Sequence, residues 1–197
     1  MKKLLIPFVA IILIAGATLM PTREDMKIYD SLIRLHVIAD SDTAEAQALK
    51  LKVRDAILSE VAALTENCSD RDEAERVLRE NAEYFEAVSE KTLRENGSDD
   101  AVSVTVGMEK YPVRSYEGLR LPSGEYCSMK VMIGDAEGKN WWCVLFPPLC
   151  VGSATQVEEK LVSVGFSPDQ VKVLTDTDSP KYRIRFKLLD VLGSIFS

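Results

Sequence analysis

The chain has 197 residues, 46% of them hydrophobic, a formal net charge of −7 and one histidine. A single histidine excludes H-E-x-x-H zinc sites and multi-histidine metal centres. Such acidity disfavours polynucleotide and anionic lipid as partners, because both are repelled at long range.

The N-terminal segment has the layout of an export signal. Lys2 and Lys3 precede an almost wholly apolar stretch from Leu4 to Met20, and Ala15-Gly16-Ala17 follows the small-x-small pattern of a signal peptidase site. The stretch is near the lower limit for crossing about 30 Å of hydrocarbon, and Pro7 and Gly16 weaken it as a permanent anchor. Residues 1–21 are therefore read as a signal peptide or a membrane anchor, and residues 22–197 as a single extracytoplasmic domain. Loss of the leader removes two lysines and no acids, taking the charge to −9.

Ile33, Leu35 and Val37 alternate with Arg34 and His36, the period-2 pattern of a strand. Asp42 is positioned as an N-cap, with Glu45 three residues on. Ala46, Leu49, Val53, Ile57, Val61 and Leu64 then form one apolar stripe on a helix from Thr43 to Leu64. A second helix is predicted from Ser69, with a stripe through Ala74, Val77, Leu78, Phe85 and Val88 and a stop at Asn96-Gly97.

Beyond Gly97 the period changes. Val102, Val104 and Val106 alternate with Ser103 and Thr105 as a half-buried strand. Tyr126 to Ile133 reads as a strand, Gly134 to Asn140 as its turn, and Trp141 to Phe146 as a central strand closed by Pro147-Pro148. A helix over Thr155 to Val164 ends at Gly165 and Ser167-Pro168, and Tyr182 to Leu188 alternates as a last strand before a short helical tail. Together these elements predict an α+β domain, mainly an antiparallel sheet with helices packed on one face.

The search for chemistry finds little. No G-x-S-x-G elbow, G-x-G-x-x-G loop or Walker loop is present, and Asp176-Thr177-Asp178 is not the Asp-Thr-Gly of an aspartic protease. His36 is either a structural hydrogen-bonding residue, half of a Cys–His pair with Cys127 or Cys143, or a recognition residue. Cys68, Cys127, Cys143 and Cys150 show no C-x-x-C spacing; Cys143 and Cys150 either close a small disulfide loop or pack as thiols. Adjacent residues on a strand put Trp141 and Trp142 on opposite faces of the sheet, either both in the core or one half-exposed as an interface anchor. The polar corner from Arg34 and His36 to Asp40-Ser41-Asp42 reads as helix capping or as a site.

Four stretches together carry a resemblance: Leu32 to Asp42 (LIRLHVIADSD), Gln47 to Ala56, Leu121 to Tyr126 (LPSGEY), and Gly138 to Cys150 (GKNWWCVLFPPLC). Over residues 24–150 the chain resembles the stage II sporulation protein R family of endospore-forming bacteria, departing at Asp40, where the family pattern has Asn. The resemblance implies a protein secreted from the forespore into the intermembrane space, touching membrane only through its N-terminal segment. Its implied partner is a membrane-bound aspartic protease of the mother cell, which processes the precursor of sigma factor E. It implies no catalytic residues, cofactor or metal; Arg34, His36, Trp141 and Trp142 become candidates for the partner interface, and Cys143 and Cys150 for a disulfide. The rival reading is a secreted hydrolase acting on cell wall or peptides.

Overall fold

A computed structural model describes residues 28–116, 119–149, 154–163 and 165–175. They lie in one compact unit, residues 27–177. The elements in chain order are β1 (Ile33–Ile38), α1 (Ala44–Thr65), α2 (Arg71–Glu80), α3 (Ala82–Glu95), β2 (Val102–Tyr111), β3 (Arg114–Tyr116), β4 (Leu119–Leu121), β5 (Gly124–Ile133), β6 (Asn140–Phe146), α4 (Ala154–Ser163) and α5 (Pro168–Thr175). The α+β class stands. The expected boundary after residue 21 and the strand from Tyr182 lie outside the described residues.

Four strands form one sheet in the order β2-β5-β1-β6, and β3 and β4 form a separate two-stranded strap. The β1–β5 pair is parallel, while β1–β6 and β2–β5 are antiparallel, so the sheet is mixed. The helical layer causes this: it carries the chain from β1 to the far edge before β2 and β5 fold back as a pair. Ile33, Leu35 and Val37 face that layer and pack with Val53, Ile57, Val61, Leu78, Phe85 and Leu93. Burying each such side chain contributes about 1.5–3 kcal/mol. A second cluster on the opposite face joins Leu32, Tyr126 and Val144 to Leu119 and Leu121 of the strap and to Val157, Leu161, Val171 and Leu174 of α4 and α5. Helices thus stand on both sides of the sheet.

The predicted second helix is two. Asn81 separates α2 from α3, and its side-chain amide donates to Val77 O at 2.8 Å, competing with the backbone ladder as Asn does. After α3, Gly97 at φ 85° lets the Gly97 and Ser98 amides reach back to Arg94 O and Leu93 O, a Schellman ending. Side chains from this layer also occupy edge strand β2: Glu86 accepts from Val104 N at 2.8 Å and Arg79 donates to Val106 O at 2.7 Å. Such blocking protects an edge against stray pairing.

The polar corner after β1 is a latch. Thr43, not Asp42, caps α1 by accepting from Ala46 N. Asp42 instead accepts from Lys139 N at 2.7 Å and Asp40 from Asp135 N at 3.0 Å, both in the β5–β6 turn. Glu137 N and Gly138 N complete it on the carbonyls of Asp40 and Ala39. A Cβ at Gly138 would strike the Ser41 carbonyl oxygen, which is why the close approach needs glycine there. Capping and turn anchoring account for this corner.

Candidate functional site: a polar and aromatic cluster on the sheet face

Alternation along β1 turns Arg34 and His36 away from α1–α3, onto the second face. The register sets Arg34 beside Ser128 and Val144, and His36 beside Lys130 and Trp142. Arg34 has no exposed surface and His36 only 5%. Few folds bury such groups without compensation.

Aromatic rings supply much of that compensation. The Arg34 guanidinium carbon lies 3.9 Å from the Tyr111 ring centroid and 4.9 Å from that of Tyr126, and Nη2 donates to the Tyr116 hydroxyl. Cation–π contact of this kind is worth about 2 kcal/mol when desolvated. Among the described residues, Arg34 Nε and Nη1 have no hydrogen-bond partner. Burial pushes the Tyr111 and Tyr126 hydroxyls well above the usual phenol range, and that of Tyr116 upward despite the opposing charge of Arg34, so all three stay neutral.

His36 bridges two acceptors. Nδ1 lies 2.8 Å from Glu109 Oε1 and Nε2 lies 2.7 Å from Asn140 Oδ1. Its ring stacks on Trp142, with centroids 3.7 Å apart and planes 17° off parallel. Glu109 also accepts from Ser128 Oγ at 3.0 Å and sits 3.7 Å from Lys130 Nζ, and Ser128 is 2.6 Å from the Tyr111 hydroxyl. Arg114 of the strap lies over Trp142, its guanidinium carbon 5.1 Å from the ring centroid.

Three of the four predicted interface residues therefore meet: Arg34, His36 and Trp142. Trp141 stands apart on the helical side, 36% exposed, with the Arg54 guanidinium 4.4 Å from its centroid. Neither Cys127 nor Cys143 pairs with His36, because both belong to the core against the helices while His36 faces the other way. Burial raises the Cys127 thiol to about 11, which keeps it protonated. Ser128 is held between Tyr111 and Glu109, whose other carboxylate oxygen meets His36 Nδ1. Among the described residues no group of His, Cys, Asp or Glu could hold a metal ion. Cys143 is disulfide-bonded, Cys68 and Cys127 are free thiols, and Cys150 lies outside the described residues.

Sequence reasoning missed Glu109, Tyr111, Arg114, Tyr116, Tyr126 and Asn140. Each reaches the cluster through pairing or strap placement remote in sequence; only Tyr126 and Asn140 lie in the stretches that carry the resemblance, and nothing local marks either as part of a cluster.

By sequence, the chain is similar to sporulation proteins. The family model described as stage II sporulation protein R matches residues 29–156. Stage II sporulation protein R of Bacillus subtilis (strain 168) is 33% identical, covering 76% of this chain and 71% of its own length. No solved structure matches. The chain belongs to the stage II sporulation protein R family, and its role is in sporulation.

Proposed function

We propose that the chain is a secreted signal between the two compartments of a sporulating cell. The N-terminal segment exports it from the forespore into the intermembrane space. There the folded domain binds the extracytoplasmic part of a membrane-bound aspartic protease of the mother cell and favours its active arrangement, which leads to cleavage of the sigma factor E precursor. Family membership supports the pathway. The observation that favours binding over catalysis is that Cys127 and Cys143 lie on the sheet face opposite His36, while the Ser128 hydroxyl is bonded to Tyr111 and Glu109.

A binding protein shifts a receptor only by its differential affinity for the two states. Confinement between closely apposed membranes raises the effective concentration, so a modest affinity suffices. The test is to mix purified full-length protein with membranes carrying the protease and its sigma precursor. Activation that saturates at a fixed protein-to-receptor ratio supports the reading. Turnover of precursor, wall material or peptide by the purified protein alone contradicts it and favours the hydrolase.

A further inference from the structure

The outer edge of β2 is plugged over one stretch and open over the next. Val104 N–H and Val106 C=O point away from β5, toward Glu86 and Arg79, which hold them. In an antiparallel ladder the outward groups recur at every second residue, so Met108 and Lys110 also turn both N–H and C=O outward. Among the described residues nothing bonds those four groups. The side chains leave this stretch clear as well. Met108, 64% exposed, is the most exposed large hydrophobic among the described residues. Lys110 Nζ lies 3.9 Å from Glu125 Oε1, so its side chain leans inward over β5 instead of guarding the edge.

Native folds block edges because unpaired strands recruit other strands, and this fold blocks only the part beside Val104 and Val106. Donors and acceptors that alternate at strand spacing fit one class of ligand, an extended polypeptide, whose own N–H and C=O groups repeat at the same interval. We infer that residues 108–110 pair with an extended segment of the protein partner, which adds a strand to the sheet beside β2. A second copy of this chain fits poorly. The antiparallel register that confines pairing to the open stretch sets Met108 against the copy's Lys110, and therefore Glu109 against the copy's Glu109. Like charges directly opposite are destabilising. An incoming strand also finds room for a large side chain beside Gly107, where a Cβ would meet nothing within 4 Å. The inference rests on the proposed binding of the protease and names the backbone that holds it.

The test is residue-resolved hydrogen–deuterium exchange of the full-length chain in neutral detergent, alone and with the protease solubilised in the same detergent. The Met108 and Lys110 amides should exchange fast in the chain alone and at least tenfold more slowly with protease. The Gly107 and Glu109 amides, which point to β5, should be slow in both. Met108→Pro removes an outward donor and leaves the β5 ladder whole, so it should keep its melting temperature and lose at least tenfold in affinity. Met108→Thr keeps the backbone and should bind like the parent. If Met108→Pro lowers the melting temperature, the exchange comparison decides alone. Protease binding without protection of Met108 and Lys110, a folded Met108→Pro that binds unchanged, or Met108→Thr losing as much as Met108→Pro would overturn the inference and leave the signalling role standing. Protection that grows with the concentration of the chain alone would overturn it in favour of a second copy. Failure to bind the protease at all contradicts the signalling role itself, and the inference with it.

Discussion

The His36 imidazole lies flat against the Trp142 indole, centroids 3.7 Å apart, and the Arg114 guanidinium carbon lies 5.1 Å from the centroid of the same indole. Trp142 of β6 thus contacts one side chain from β1 and one from β3. Trp142→Ala should cost about 2–3 kcal/mol, from lost aromatic contact and the space left behind. Trp141→Ala removes one exposed contact with Arg54 and should cost less than about 1 kcal/mol. Urea unfolding of both variants checks the contrast, and equal losses would contradict it.

Arg34 tests whether a buried charge is kept for stability or for recognition. Arg34→Ala empties the space among three tyrosines and should lose about 2–4 kcal/mol. Arg34→Met fills that space without orphaned donors, so its stability should stay within about 1 kcal/mol of the parent or exceed it. The methionine variant should nevertheless fail to support precursor processing. A stable variant that still signals would assign Arg34 to the fold alone.

Three glycines make a graded series. Gly138→Ala drives a Cβ into the Ser41 backbone and should cost about 1–3 kcal/mol, because the latch must open. Gly97→Ala meets no atom but holds φ at 85°, which should cost about 1 kcal/mol. Gly107→Ala has both open space and ordinary φ and should be neutral or slightly stabilising. Thermal melts of the three variants give the order directly.

Alkali should weaken the fold through Cys127. Burial raises its thiol from 9.0 to about 11, so the native state holds this proton more tightly than the unfolded chain. That contribution is complete below pH 9 and is lost as pH climbs through 11, on the order of 2 kcal/mol. Tyr111 and Tyr126, raised by the same cause, add to the loss above pH 10. Cys127→Ala should flatten the decline in urea midpoint between pH 9 and 11. Half-exposed Cys68 should also react with iodoacetamide well before Cys127 at pH 8.

Strands and their faces were legible because alternation at Ile33–Leu35–Val37 and at Val102–Val104–Val106 is a local signal. It also placed the two indoles on opposite faces. Pairing was not legible: nothing local tells β1 to lie parallel to β5, since the helical excursion between them decides it. The Asn81 break escaped notice because the apolar stripe runs on through Leu78 and Phe85 as though one helix continued. Helix α5 was hidden by Pro168, read as a stop although proline suits a first helical turn. Of the cluster, Arg34, His36 and Trp142 were visible through the resemblance, whereas Glu109 and the three tyrosines depend on long-range contacts.

The most direct measurement of the central claim is an immunoblot for the sigma factor E precursor in sporulating cells that lack this chain. Precursor should accumulate uncleaved, the intact chain should restore cleavage, and a version without residues 1–21 should not. Normal processing without the chain, or rescue by the leaderless form retained in the producing cytoplasm, would contradict the account.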